Sequence, residues 1–260
     1  MSIHPTAIIN KGAQLHESVS VGAYAVIGEN VKIGEGTCIG HHATVDGNTT
    51  MGKNNKIHPY AYVGGETQDL KFKGGKPELL IGDDNNFREF CTIHCGTTEE
   101  IPTRIGSHNH FLAYTHVAHE CQVGRHIIMS NNATLAGHVT VEDFAIIGGL
   151  TPVHQFVRIG AYSMLGGACG LAKDLPPFMM GQGNHATIVN INKVGMERNG
   201  FTQEDIEDAF RAFKIFRRGH TFENIPKYLE ENLNPEGRVC QMLVKFLKGS
   251  KRGIAASGKD

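Results

Sequence analysis

The sequence predicts a mainly β fold, a column of short stacked strands followed by a small helical segment. Three observations support this prediction. A large apolar residue recurs at every sixth position from Ile3 to Leu171, with failures only at Asp69, Gly75 and Glu99. Glycine often follows the recurring residue, and a small or medium-sized residue often stands two positions before it. A long internal repeat of this kind is typical of solenoid proteins.

A period of six residues fits neither the 3.6-residue turn of a helix nor the two-residue alternation of a long strand. It fits a short strand, a turn and a second short strand. Three such units close a triangular coil of about 18 residues, and coils stack as parallel strands about 4.8 Å apart. We therefore expect residues one coil apart in the sequence to lie one above the other.

The predicted β column covers residues 1–188, with loops leaving it near 65–80 and 96–103, where the period breaks. Pro176 and Pro177 mark its end, because proline cannot donate a hydrogen bond to a sheet. Residues 189–260 form the predicted helical segment. There we expect a connector at 192–200, a helix capped by Thr202 with acidic residues in its first turn, and helices at 222–232 and 236–248.

The composition is that of an ordinary soluble protein, with 260 residues, 40% of them hydrophobic and 20% charged. A net charge of -1 gives no bulk attraction to nucleic acid. We expect no membrane span and no signal peptide. Cys91, Cys121 and Cys169 occupy the small inward slot of the repeat, which predicts buried, reduced thiols and a cytoplasmic protein.

The stretch from Ala113 to Gly137 is the candidate for chemistry. His116 and His119 are three positions apart, and Glu120 follows directly. One coil further on, Gly137 is expected above His119, beside an open space for a substrate. A carboxylate next to an imidazole raises its basicity and fixes its orientation. The coil interior is filled by side chains, so a site must lie outside, in a cleft between subunits. An exposed polar patch without function is the alternative.

Five short motifs carry a resemblance to a known family. They are His116-Val-Ala-His119-Glu120-Cys121, Asn131-Asn-Ala-Thr-Leu-Ala-Gly-His138, Val153-His154-Gln155-Phe156, Gly183-Asn-His185-Ala and Gln68-Asp69-Leu70-Lys71. With these motifs the chain resembles the acyl-carrier-protein-dependent UDP-N-acetylglucosamine O-acyltransferases of lipid A biosynthesis. The resemblance implies a left-handed parallel β-helix of hexapeptide repeats followed by a small α-helical C-terminal domain, assembled as a homotrimer.

The resemblance also implies a reaction. A (R)-3-hydroxyacyl chain would pass from acyl carrier protein to the 3-hydroxyl of UDP-N-acetylglucosamine, without a cofactor, a metal or a covalent enzyme intermediate. His119 would act as the general base, because imidazole titrates close to neutral pH. Glu120 would orient it, although the family usually has aspartate there. The Gly137 N–H would stabilise the thioester oxyanion.

Further positions match the family's substrate contacts. The positions are Gln68, Asp69, Leu70, Lys71, His116, His138, His154, Gln155, Asn192 and Arg198. Val194 and Asn199 depart from the family pattern near Asn192 and Arg198, where an acid and a second arginine are frequent. These two departures predict that the nucleotide is bound more weakly, or by other residues, than in the family.

The acyl groove of the family matches Gly149, Met164, Gly167 and His185, with Gly167 at the position that limits chain length. A glycine there predicts a longer hydroxyacyl chain, of a length that the sequence does not fix. The basic residues Arg211, Lys214, Arg217 and Arg218 would suit an acidic carrier protein, or form a plain solvated face. A 3-amino sugar nucleotide as acceptor also stays open.

Three other functions compete with this hypothesis. One is a zinc enzyme of the γ-carbonic anhydrase type, which bound zinc and loss of activity with a chelator would favour. Another is a sugar N-acyltransferase or an acetyl-CoA-dependent relative, which donor preference would separate. The third is a non-catalytic repeat scaffold, which should tolerate His119→Ala.

Overall fold

The computed structural model describes residues 2–218 and 220–255. Within them, short strands stack into a three-sided column whose walls are three sheets, parallel except for the last pair of strands in one of them. Ser20 pairs with Ser2 and Val21 with Ile3, which is the spacing of one coil that the period predicted. The prediction of a left-handed parallel β-helix followed by a helical C-terminal part is confirmed.

The walls are called A, B and C, and their strands are given from the N-terminal end. Wall A contains Ser2–Ile3, Ser20–Val21, Cys38–Ile39, Lys56–Ile57, Asn86–Phe87, His110–Phe111, Ile128–Met129, Ile146–Ile147, Met164–Leu165, Met179–Gln182 and Thr187–Ile191. Wall B contains Ile8–Ile9, Val26–Ile27, Thr44–Val45, Tyr62–Gly65, Thr92–His94, His116–Val117, Thr134–Leu135 and Pro152–Val153. Wall C contains Gln14–Leu15, Lys32–Ile33, Asn48–Met51, Glu78–Ile81, Thr103–Ile105, Gln122–Val123, Thr140–Val141 and Arg158–Ile159.

The recurring apolar residues fill the interior of the column. Phe87 and Phe111 are fully buried, and their rings stack with centroids 5.0 Å apart. Buried amides are satisfied by a ladder along one corner, where Asn85 Nδ2 donates to Asn55 Oδ1 at 3.0 Å and Asn109 N–H donates to Asn85 Oδ1 at 3.0 Å. The three inward cysteines are buried as predicted. The column is therefore a packed core, and ligands must bind on its surface.

Two neighbouring residues form a corner between walls, and at most corners the second one adopts a positive φ. Tyr114 has φ 64°, Glu120 53° and His138 62°. Among the described glycines that follow the recurring apolar residue, Gly64 alone has a positive φ, of 85°. Gly34 instead allows close approach between coils, because a Cβ there would lie 2.6 Å from the carbonyl oxygen of Gly52.

The two loops leave the column between Tyr62–Gly65 and Glu78–Ile81, and between Thr92–His94 and Thr103–Ile105. At the other end, Met179–Gln182 and Thr187–Ile191 form an antiparallel pair that ends the parallel stack. The helices that follow are α1 (Lys193–Arg198), α2 (Gln203–Arg217), α3 (Ile225–Asn232) and α4 (Arg238–Lys248).

The helices predicted after Thr202, at 222–232 and at 236–248 correspond to α2, α3 and α4. Thr202 caps α2, and Asp205 completes a capping box with it. The interpretation of residues 192–200 as a plain connector was wrong, since they contain α1. Met1, at the start of the predicted column, and residue 219 and residues 256–260 of the predicted helical segment lie outside the described residues.

The helices are anchored to the last coils by polar contacts. Arg158 Nη1 donates to the Phe246 carbonyl oxygen at 2.9 Å, and its guanidinium lies 4.3 Å from the Phe246 ring centroid. Asp174 accepts from Ser250 Oγ at 2.6 Å and from Arg158 N–H at 2.8 Å. Among the described residues, none of the helices is both long and apolar enough to cross a membrane.

Candidate active site

His119 and Glu120 form the corner between wall B and wall C, after the strand His116–Val117. The Glu120 N–H donates to Thr103 Oγ1 at 2.9 Å, which holds the backbone of the corner against the preceding strand of wall C, Thr103–Ile105. The Glu120 side chain is only 1% exposed, whereas the His119 side chain is 15% exposed. The corner therefore presents an accessible imidazole on a buried carboxylate.

Both carboxylate oxygens of Glu120 are hydrogen-bonded. Oε1 accepts the backbone N–H of Thr97 and, at 3.1 Å, that of Thr98. Oε2 accepts from Nδ1 of His119. Since Nδ1 carries the proton, Nε2 of His119 has a lone pair available, which is the arrangement of an oriented general base.

Gly137 lies one coil above His119, as the stacking predicted. A Cβ at Gly137 would collide with Cε1 and Nε2 of the His119 ring, so the absence of a side chain leaves the basic nitrogen its space. His138 N–H donates to the His119 carbonyl oxygen at 3.0 Å and joins the two coils. Within the described part of the chain the Gly137 N–H makes no hydrogen bond, which leaves it available to an oxyanion.

His138 flanks the carboxylate on the next coil. Its Nε2 lies 3.5 Å from Glu120 Oε2, and its ring stacks on Phe156 with centroids 4.5 Å apart. Burial lowers the pKa of His138, although the nearby Glu120 carboxylate opposes this. A neutral His138 can donate or accept a hydrogen bond at the surface of the site.

His119, Glu120 and His138 are also the residues, within the described ranges, whose ligand atoms could converge on a metal ion. These atoms lie within 4.8 Å of one another. Nδ1 of His119 already donates to Glu120 Oε2, so an ion bound there would take Nε2 of His119 or replace this hydrogen bond.

A surface cavity of about 510 Å³ opens beside this corner and lies between the two loops. It is lined by Asp69, Lys71, Lys73, Gly74, Thr97, Thr98, Glu99, Glu100, Ile101, Glu120 and His138. The structure thus brings Asp69 and Lys71, predicted from the first loop, next to Glu120 and His138. Leu70 between them is fully exposed, at 101%.

The chain is similar in sequence to known proteins. A family model for "Udp N-acetylglucosamine O-acyltransferase; Domain 2" matches residues 174–255, and one for six repeats of the bacterial transferase hexapeptide matches residues 12–47. The acyl-carrier-protein–UDP-N-acetylglucosamine O-acyltransferase of Burkholderia lata is 48% identical over 257 residues, covering 97% of this chain and 98% of the relative. That of Aliarcobacter butzleri is 44% identical, covering 99% of each chain.

Solved structures agree. LpxA from Acinetobacter baumannii superposes with a TM-score of 0.94 at 42% identity, covering 97% of this chain and 99% of the other. The UDP-N-acetylglucosamine acyltransferase from Campylobacter jejuni gives 0.91 at 40% identity, covering 99% and 100%. This chain belongs to the UDP-N-acetylglucosamine O-acyltransferase family.

Sequence reasoning missed one histidine beside the candidate site of this acyltransferase. His94 is buried on wall B, and its ring meets that of His116 edge-on, with centroids 5.0 Å apart. His116 Nδ1 is 2.7 Å from Thr92 Oγ1. Burial lowers the pKa of His94, and burial together with His94 and His119 lowers the pKa of His116 to about 4. Both rings are therefore neutral near pH 7.

The remaining predicted contacts lie elsewhere on the acyltransferase chain. His154 and Gln155 are exposed at the corner above Gly137. Asn192 is buried and caps α1, since its Oδ1 accepts from Gly195 N–H at 3.1 Å and its Nδ2 donates to the Tyr162 carbonyl oxygen at 2.9 Å.

Arg198 and the groove positions are likewise outside the cavity of the single chain. Arg198 and His185 are exposed, and Met164 is half-buried on wall A. Gly149 and Gly167 stack at the corner between walls A and B, and a Cβ on Gly167 would meet only the Gly149 carbonyl oxygen, at 3.5 Å. This corner leaves open space in front of Gly167.

Proposed function

We propose that this chain transfers a (R)-3-hydroxyacyl group from acyl carrier protein to the 3-hydroxyl of UDP-N-acetylglucosamine, the first step of lipid A biosynthesis. The proposal rests above all on the pair of His119 and Glu120, whose hydrogen bond through Nδ1 leaves Nε2 free below Gly137. Family membership supports the same reaction.

In the proposed reaction, Nε2 of His119 takes the proton of the sugar 3-hydroxyl. The resulting oxygen nucleophile attacks the thioester carbonyl carbon, and the oxyanion that forms accepts the Gly137 N–H. Collapse of this intermediate breaks the C–S bond, and the imidazolium returns the proton to the leaving thiolate. Glu120 stabilises the imidazolium, and a preorganised oxyanion donor typically contributes about 3 kcal/mol.

The sugar is proposed to bind in the cavity between the loops. Asp69, Lys71 and His138 line this cavity together with Glu120. They supply hydrogen-bond donors and acceptors, with both acidic and basic side chains among them. Gln68 and Leu70 lie on the same loop, and His116 lies one strand before the base. The neutral state of His116 suits hydrogen bonding to sugar hydroxyls without adding a competing charge.

A homotrimer is part of the proposal. Within one chain, the cavity beside Glu120 includes neither the proposed nucleotide contacts Asn192 and Arg198 nor the groove residues Gly149, Met164 and Gly167. A neighbouring subunit packed along the column can bring the same residues of its own surface to the cleft. His154, Gln155 and His185 are exposed and available for such a shared site.

The basic surface of α2 that is proposed to bind the carrier protein has less uncompensated positive charge than the sequence indicated. Arg211 Nη1 lies 2.6 Å from Asp208 Oδ1, and its Nη2 lies 3.6 Å from Glu207 Oε2, so much of its charge is compensated. Lys214 Nζ lies 4.7 Å from the centroid of the half-exposed Phe210 ring. Acyl carrier protein is proposed to dock here, in the cytoplasm, where opposite charge steers association.

The test is mass spectrometry of the product made from UDP-N-acetylglucosamine and a series of acyl carrier protein thioesters. We expect a 3-O-hydroxyacyl product, and we expect His119→Ala to lower kcat by about 1000-fold. His41→Ala is the matched control, since His41 is also the first residue of a corner and is exposed.

An amide or acetyl product from the wild type, or full turnover by His119→Ala, would contradict the proposal. Loss of activity with a chelator would instead favour a metal held by His119, Glu120 and His138.

A further inference from the structure

The hydrogen-bond partners of Glu120 include a segment that can act on His119 indirectly, through this carboxylate. A buried carboxylate is costly unless hydrogen bonds compensate for lost water. Two of the compensating donors are the N–H groups of Thr97 and Thr98, which belong to the second loop and not to the corner itself. The conformation of this loop therefore sets where the carboxylate lies.

The second loop is tightly confined where it meets Glu120. Gly96 is buried, and its N–H donates to the Glu78 carbonyl oxygen at 3.3 Å. A Cβ at Gly96 would lie 2.7 Å from the Ile101 carbonyl oxygen and 3.3 Å from Glu120 Oε1. The backbone thus approaches the carboxylate closely, and the position of its amides depends on what holds residues 97 and 98.

A side-chain contact with the first loop provides this support. Thr67 Oγ1 and Thr97 Oγ1 are 2.9 Å apart, and the contact is partly buried. Thr67 Oγ1 also accepts the Asp69 N–H at 3.1 Å, and Asp69 Oδ1 accepts the Lys71 N–H at 2.9 Å. A series of contacts therefore runs from the proposed sugar loop through two hydroxyl groups to the N–H groups that hold Glu120.

We propose that Thr67 and Thr97 are positioning residues for the base, which couple the sugar loop to the orientation of Glu120 and His119. The inference rests on the proposed function. When the acceptor sugar holds Asp69 and Lys71 in place, the hydroxyl pair keeps the Thr97 N–H on Glu120 Oε1. Glu120 in turn holds the imidazole with Nε2 toward the substrate.

The test replaces each hydroxyl by a methyl group of the same shape. We expect Thr97→Val and Thr67→Val each to lower kcat by about tenfold, the effect of a lost hydrogen bond in a connected network, with a smaller change in KM. The double variant should be no worse than Thr67→Val alone, because Thr67→Val already removes the contact with Thr97 as well as the acceptor of the Asp69 N–H. Thr97→Ser and Thr67→Ser keep the hydroxyl and should restore most of kcat.

Thr37→Val is the matched control. Thr37 is fully buried near the start of the column, and its hydroxyl donates to the Gly52 carbonyl oxygen at 3.2 Å. This variant should lose stability without a change in kcat. Wild-type kcat in Thr97→Val, additive losses in the double variant, or equal losses in the serine variants would overturn the inference. If the wild type itself forms no acylated sugar nucleotide, the proposed function fails instead.

Discussion

Tyr114 and Glu120 occupy the same place in two successive corners of the column. Both are the second corner residue, with φ 64° and 53°. Tyr114 is nevertheless 55% exposed, whereas Glu120 is 3% exposed. Tyr114 extends a row of stacked exposed rings, with the Phe90 centroid 4.9 Å away. The backbone is thus shared, and the difference lies in what covers it.

The cover over Glu120 comes from the two interruptions of the repeat. The loop after Thr92–His94 supplies the N–H groups of Thr97 and Thr98, and the loop after Tyr62–Gly65 closes the other side of the cavity. At the Tyr114 corner the regular coils continue and nothing is added. The regular coils fix where side chains lie. The interruptions change how far those side chains are exposed to solvent, and this exposure decides their chemistry.

The covered corner should be the more sensitive one to added atoms. Gly137→Ala places a methyl group against Cε1 and Nε2 of His119, so we expect the ring to move and kcat to fall by about 1000-fold. Steady-state kinetics would measure this. The control Gly22→Ala creates similar crowding away from the site, because its methyl group would lie 2.6 Å from the backbone nitrogen of His41. It should lower Tm but not kcat. Normal turnover by Gly137→Ala would show that His119 does not need this space.

The burial of His116 should make the stability of the fold depend on pH. The unfolded chain binds a proton at His116 as pH falls through about 6.5, whereas burial lowers the pKa of the folded ring to about 4. The stability present above pH 6.5 is therefore lost as pH falls toward 4, by up to about 3 kcal/mol from His116.

Urea unfolding at fixed protein concentration, between pH 7 and 4.5, measures this loss. His116→Asn should flatten the dependence. An equal slope in the wild type and His116→Asn would rule out His116 as its source.

The corner between walls A and B at Gly149 and Gly167 should accept a larger side chain, which should change the selectivity for acyl-chain length. Gly167→Met fills the space in front of Gly149, so the preferred acyl donor should become shorter. We expect activity with the longest donor to fall about tenfold relative to one a few carbons shorter, since each buried methylene contributes about 0.8 kcal/mol. Ala168→Met, at the exposed neighbouring position, is the control. An unchanged chain-length profile would refute the role of Gly167.

The contrast also explains what the sequence could predict. Gly137 above His119, and His138 beside Glu120, follow from counting one coil, because no interruption lies between residues 105 and 171. His94 escaped the same count, since the second loop changes the spacing of its strand, and Thr92 meets His116 at a separation of 24 residues. The role of Thr97 depends on its backbone N–H, which no side-chain pattern reveals.

Helix α1 was missed for a related reason. It spans only Lys193–Arg198, and an isolated helix of this length is unstable without outside contacts. Its stabilising contacts come from Asn192, which bonds the Tyr162 carbonyl oxygen of the column, and from the buried Met196. Short elements fixed by distant partners are beyond local sequence patterns.

The antiparallel strand Thr187–Ile191 has a consequence for self-association. A stack of parallel strands ends in unpaired backbone groups that can template growth by another molecule. Here the chain reverses against Met179–Gln182, so an incoming parallel coil meets no matching edge on the outer strand. Helix α2 packs beside this strand as well. The reversal, with helix α2 beside it, therefore leaves the C-terminal end of wall A without the parallel edge that would extend the column.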